Sequence, residues 1–136
     1  MKKLTVIIPL ILFAIALSSS SRVFGSCFFT NDHVLVVTRN IDTDSDPVKV
    51  HCFSGNDDFG IHVLNGAEKF ERKFCDNLLP NTQFFCRVRW REKQQGFVAY
   101  EQVMHYAETL NAWLVREDGI YLTHDWKVAV QKYDWA

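Results

Sequence analysis

Four cysteines, Cys27, Cys52, Cys75 and Cys86, constrain this chain of 136 residues more than any other feature. They form no Cys-x-x-Cys pair, so the spacing points neither to zinc nor to thioredoxin-type redox chemistry. An even number of cysteines in a small exported chain reads as a disulfide framework, here of two bridges. Export is itself legible at the start of the sequence. Lys2 and Lys3 precede an uncharged apolar run, Leu4 to Leu17, broken once by Pro9. Serines 18–21 follow, then Arg22-Val23-Phe24-Gly25. That layout is a secretory signal peptide, and the run is shorter than the ~20 residues a membrane-spanning helix needs. Val23 and Gly25 suit positions −3 and −1, which places cleavage after Gly25; the serine run is the rival site.

Residues 26–136 then make one domain, too short for two cores. The signal removes three of the 15 basic residues and none of the 16 acidic ones, so the mature chain is mildly acidic. Such a chain is a poor general binder of phosphate backbones or anionic lipid, and neither nucleic acid nor direct membrane insertion is expected.

The mature chain is a series of short apolar runs between turn residues. Val34 to Asn40, Val48 to Phe53 and Phe59 to Leu64 come first, with Glu68 to Cys75 also read as strand. Phe84 to Trp90 alternates most clearly. Phe84, Cys86, Val88 and Trp90 share one face, and Arg87, Arg89 and Arg91 form a basic stripe along the other. Period-two alternation marks a half-buried strand. Phe97 to Val103 follows, then Trp113-Leu114-Val115 and Ile120-Tyr121-Leu122 flanking Asp118-Gly119. Asp-Gly between apolar runs predicts a hairpin with a type I′ turn. Seven to eight short strands predict an all-β, antiparallel β-sandwich, and 14% aromatic residues supply bulk for its core.

The segment Val50-His51-Cys52-Phe53-Ser54, with Asn56-Asp57-Asp58-Phe59-Gly60 after it, resembles the signature of the plant self-incompatibility proteins, the S-protein homologues. Phe84-Phe85-Cys86 leading to Arg89-Trp90, Trp113 ahead of Glu117-Asp118-Gly119-Ile120-Tyr121, and the closing Tyr133-Asp134-Trp135 continue the likeness in order across residues 33–135. The resemblance implies a secreted, disulfide-bonded β-sandwich. It further implies a recognition ligand sensed by a membrane protein. One departure stands out. The family usually carries a second cysteine pair just before the tryptophan matching Trp113; residues 107–112 here have none, and Cys27 and Cys75 are extra. The likeness therefore implies Cys52–Cys86, leaving Cys27–Cys75. The alternation also turns Cys52 and Cys86 toward the core.

Several residues suggest chemistry. A hairpin turning at Asn56-Asp57 would set Cys52 opposite Ile61 and His51 opposite His62, with the two imidazoles ~5 Å apart on the outer face. Such a pair could hold a metal or do acid/base work, but no third ligand is evident and no lysine cluster accompanies it. Asp57 and Asp58 lack the surrounding pattern of a calcium loop. There is no Gly-x-Ser-x-Gly and no His-Glu-x-x-His, and two bridges would leave no free thiol. No catalytic residue, metal or cofactor is expected. Gly55, Asn56, Asp57 and Asp58 are expected at an exposed hairpin tip that contacts a membrane receptor or other extracellular protein, with the chain acting as a monomer. A carbohydrate-binding module is an alternative if Trp90, Trp113 and Trp126 are exposed, although alternation places Trp90 and Trp113 inside. A small histidine-dependent hydrolase is the other.

Overall fold

The computed structural model describes residues 27–28, 30–76, 82–105 and 108–136. The expected signal peptide, residues 1–25, and the expected mature start at Ser26 lie outside them. Among the described residues there are nine strands: β1 (Asp32–Arg39), β2 (Val48–Phe53), β3 (Asp58–Leu64), β4 (Lys69–Cys75), β5 (Gln83–Trp90), β6 (Lys93–Glu101), β7 (Leu110–Arg116), β8 (Gly119–Thr123) and β9 (Ala129–Tyr133). A single turn of helix, α1 (Gln102–His105), follows β6. The strands form a five-stranded sheet, β4-β1-β7-β8-β9, packed on a four-stranded sheet, β3-β2-β5-β6.

All strand pairs are antiparallel except β1 with β7, which run parallel. Strand β1 lies between β4 and β7, and its run Leu35-Val36-Val37 is buried at all three positions. A continuous apolar run is what a strand covered on both faces requires. Strands β2 and β5 instead alternate. Val48, Val50 and Cys52 face inward, as do Phe84, Cys86, Val88 and Trp90. Trp113, Val115, Ile120 and Leu122 meet them from the other sheet. Trp90 and Trp113 are therefore core residues, 4% and 2% exposed.

Two disulfides are formed, Cys27–Cys75 and Cys52–Cys86. Cys52 and Cys86 are direct cross-strand partners with Cα atoms 4.0 Å apart, near the spacing of the narrow, non-hydrogen-bonded antiparallel pair. Cys27–Cys75 pins the segment before β1 to the end of β4.

Both ends of β1 carry buried polar networks. At its start His33 donates from Nδ1 to the carbonyl of Glu108 (2.7 Å), and its Nε2 lies 2.7 Å from Asp76 Oδ2. Tyr100 of β6 donates its hydroxyl to Asp76 Oδ1 at 2.6 Å. At its end Arg39, 2% exposed, spends its whole guanidinium fork. It donates to the carbonyls of Asp46, Ile41, Gly66 and Asp44, and to the Asp44 carboxylate. Asp44 also receives Trp90 Nε1 and pairs with Arg91, so this network joins β1 to β5. Buried charge is tolerated when paired and hydrogen-bonded, and each network ties one sheet to the other.

Candidate functional site

The β2–β3 hairpin and the outer face of the four-stranded sheet carry the residues singled out in the sequence. Ser54 organises the tip. Its Oγ accepts the amides of Asn56 (3.3 Å) and Asp57 (3.1 Å), while its own amide donates to the Asp57 carbonyl at 2.7 Å. Gly55, Asn56, Asp57 and Asp58 are all exposed. The two aspartates differ. Asp58 folds back: its Oδ1 accepts the Gly60 amide at 2.9 Å and lies 2.7 Å from His51 Nε2. The Gly60 amide first, and the His51 contacts after it, hold its carboxyl below the usual carboxylate range against a small opposing effect of burial. The Asp57 carboxylate makes no hydrogen bond or ion pair among the described residues and points to solvent.

The histidine pair does not form. A bulge sets Phe59 and Gly60 of β3 against the single residue Cys52 of β2, so His51 faces Ile61 and His62 faces Val50. Gly60, at φ 75°, supplies the left-handed turn that lets the strand bulge. A one-residue slip moves every later side chain to the opposite face. His62 instead packs 4.6 Å from the Phe70 ring and hydrogen-bonds the Phe59 carbonyl. The bulge also turns Phe59 inward onto Phe84, at 5.5 Å. With the imidazoles on opposite faces, they have no joint metal or acid/base geometry. Among the described residues, no group of three His, Cys, Asp or Glu could hold a metal.

The basic stripe also changes membership. Arg91 is the first residue of the β5–β6 turn, at φ 57°, and it pairs with Asp44 (2.6 Å) and Asp46 (2.9 Å). Arg87 and Arg89 remain on the outer face, joined by Lys49 of β2, which lies directly opposite Arg89. All three are exposed, and none has a side-chain hydrogen bond or ion pair among the described residues. The signal for Lys49 was present in the sequence: it sits one position from Val48 and Val50 on the alternating run, so it had to face outward. The networks around His33 and Arg39 left no such signal, because hydrogen bonds to irregular loop carbonyls near Arg39, and to Asp76, Tyr100 and Glu108 far along the chain from His33, follow no strand periodicity.

The third tryptophan considered as a stacking platform, Trp126, is half exposed at φ 62°. It is held in a closed turn in which Thr123 Oγ1 accepts the Asp125 and Trp126 amides. Asp125 Oδ1 accepts those of Lys127 and Val128. Its ring lies 6.0 Å from Lys69 on the far edge strand β4, so the turn reaches back across the outer face of the five-stranded sheet.

These features define a class: a disulfide-clamped β-sandwich that displays an ordered hairpin tip beside a cationic sheet face, with its histidines kept apart. The family model for plant self-incompatibility protein S1 matches residues 34–135, and the chain belongs to that family. Among similar proteins of Arabidopsis thaliana, S-protein homolog 8 is 35% identical over 65% of this chain and 70% of its own length. S-protein homolog 11 is 34% identical over 74% and 76%, and S-protein homolog 7 is 29% identical over 99% and 100%. A solved structure of an SPH (self-incompatibility protein homologue) matches with TM-score 0.64 and 21% identity, covering 78% of this chain and 96% of the other. That structure is described as coming from a widespread family of small, highly stable, secreted plant proteins, and it shares this sandwich fold.

Proposed function

We propose that this chain is a secreted, non-enzymatic recognition ligand whose β2–β3 tip docks on a membrane receptor or another extracellular protein. In this reading the signal is cleaved after Gly25, and residues 26–136 act as a single monomeric domain. The observation that carries the proposal is the contrast within the tip. Ser54 and Asp58 use their side chains to fix the loop, and the Cys52–Cys86 bridge anchors its base. Asp57 is left free on that rigid support. Rigid scaffolds that present exposed loop side chains are the common architecture of recognition sites. The separation of His51 from His62 weighs against the hydrolase alternative, and burial of Trp90 and Trp113 weighs against a carbohydrate-binding face.

Saturable binding of the labelled, secreted chain to intact plant protoplasts, compared with Asp57→Asn, tests the reading. A free carboxylate at a rim chiefly speeds encounter with a basic partner. The variant should associate several-fold more slowly at low ionic strength and should match the parent at high salt. Equal association rates at low salt would remove Asp57 from the site. Turnover of RNA, glycan or peptide that disappears in His51→Ala would replace the ligand reading with an enzyme.

A further inference from the structure

We infer that the outer face of the four-stranded sheet is a second binding site, one that takes a short acidic peptide segment whose carboxylates are flanked by apolar side chains. The inference rests on the chain being a binding protein and adds the chemistry of something it binds. Strand pairing sets the face out in three rows. The first is Val63, Lys49, Arg89 and Gln94; the second is Ile61, His51, Arg87 and Gly96; the third is Asp58, Phe53, Phe85 and Val98. A groove of about 550 Å³ crosses the strands along the first two rows. Its floor is open where Gly96 offers no side chain opposite Arg87.

Three observations identify the occupant. First, Lys49 and Arg89 are direct cross-strand neighbours of like charge, an arrangement that costs stability. Arg87 lies two residues along the same strand as Arg89, roughly 7 Å away. None of the three has an acidic partner among the described residues: Asp58 is engaged by His51 and the Gly60 amide, Glu101 lies beyond the phenylalanine row opposite Gln83, and Ala136, whose amide donates to the Gln94 carbonyl, closes one end of the groove. An anionic ligand would relieve the repulsion, and guanidinium forks match carboxylates in particular. Second, apolar side chains border the cations at two adjacent edges, the β3 edge and the third row. Ile61 and Val63 are 68% and 50% exposed on one, and Phe53 and Phe85, stacked 5.8 Å apart, are half-buried on the other. A polyuronate would satisfy the cations but offers no bulky apolar group to these residues, whereas a peptide supplies both. Third, the groove spans about three strand spacings, roughly 14 Å, the length of about four extended residues.

The test is fluorescence anisotropy of the full mature chain with a labelled peptide of alternating Glu and Phe, against the same peptide with Gln for Glu. The acidic peptide should bind saturably, and the Gln peptide should not. Arg87→Gln and Arg89→Gln should each weaken binding roughly tenfold, the value of one charge-assisted hydrogen bond. Lys73→Gln, on the other sheet, should not change it. Gly96→Leu separates a local site from diffuse charge. A Cβ there would meet only Arg87 Cγ at 3.7 Å and the Cys86 carbonyl at 3.9 Å, ordinary contacts, so the variant should fold while its side chain fills the groove. It should abolish peptide binding with every charge in place. Absence of saturable binding at millimolar acidic peptide would overturn the inference, as would full binding by Gly96→Leu. Polygalacturonate that binds through Arg87 and Arg89 where the peptide does not would overturn the peptide assignment. In each of these cases Asp57-dependent binding to protoplasts would still stand or fall by itself.

Discussion

Gly55 and Gly60 lie five residues apart in the same hairpin, yet the backbone asks different things of them. Gly60 sits at φ 75°, where a Cβ crowds its own carbonyl. Gly55 has no positive φ, and a Cβ there would meet nothing within 4 Å. Gly60→Ala should therefore cost about 1–2 kcal/mol, the usual penalty of the left-handed region. Gly55→Ala should be neutral or stabilise by about 0.4–1 kcal/mol, because it narrows the unfolded ensemble. Urea midpoints of the two variants check this, and a reversed order would mean the bulge lies elsewhere. Arg39 is the second residue whose role depends on its surroundings. Its guanidinium is buried, with Asp44 as its only acidic partner among the described residues. Arg39→Met leaves the Asp44 carboxylate and four carbonyls short of donors. It should cost about 3–5 kcal/mol, as other broken buried pairs do. Arg39→Lys, with one point charge in place of a planar fork, should recover only part of that loss. A small effect from the methionine variant would show that the loop from Asn40 to Pro47 is not organised by this side chain.

At the scale of elements, the β7–β8 hairpin carries a sharp constraint. Its two central residues are Glu117 and Asp118, since Gly119 already pairs with Arg116. Neither has positive φ, so the expected type I′ turn is replaced by one in which Gly119, at φ 152°, does the unusual work. A Cβ on Gly119 would collide with the Tyr133 carbonyl oxygen of β9. That atom is backbone and cannot step aside, so Gly119→Ala should destabilise by about 1–3 kcal/mol and loosen β9 first. Hydrogen exchange that rises in β9 before β1 checks the assignment; uniform exchange would count against it. The case shows what alternation makes legible. Strands with one dry face announced themselves, as β2 and β5 did. Strand β9 did not, because Val130, Gln131 and Lys132 are all exposed and leave no period-two pattern. The bulge at Gly60 was invisible for a related reason. Register depends on the count of residues between strands, and the glycine that shifts the count looks like any turn residue. The tip itself was legible because turn residues bounded it, but the opposite fates of Asp57 and Asp58 depended on that unseen shift. The parallel pairing of β1 with β7 joins residues 76 apart in the chain, as Val34 with Leu110, and no local pattern encodes it.

For the whole molecule, the two polar networks at opposite ends of β1 predict opposite pH sensitivities. At the Arg39 end, burial of Asp44 tends to raise its carboxyl. The Asp46 amide, Trp90 and the charges of Arg91 and Arg39 outweigh that and hold it below its ordinary 3.8. The charged form is favoured in the folded state. Its stabilisation is present above the unfolded value of 3.8 and is lost as pH falls through the lower folded value. At the other end Tyr100 behaves in the reverse sense. Burial, and then the hydrogen bond to Asp76 and its charge, push the phenol far above its ordinary value of 10. Above pH 10 the unfolded chain releases this proton while the folded chain keeps it, so stability falls as pH rises. Thermal melts from pH 2 to 11 should show both limbs. Asp44→Asn should be less stable than the parent at neutral pH, with the gap closing as pH drops below about 4. Tyr100→Phe should cost about 1–3 kcal/mol at neutral pH, because Asp76 loses a buried donor, yet its stability should fall less steeply above pH 10. Exchange measurements can then assign each limb to its end: amides near Asp44 and Gly66 should open first in acid, and those near His33 and Tyr100 first in alkali. If Tyr100→Phe keeps the parent's alkaline slope, the phenol is not what limits the fold there, and the His33 end is a passive hydrogen-bonded plug rather than the alkaline weak point of the sandwich.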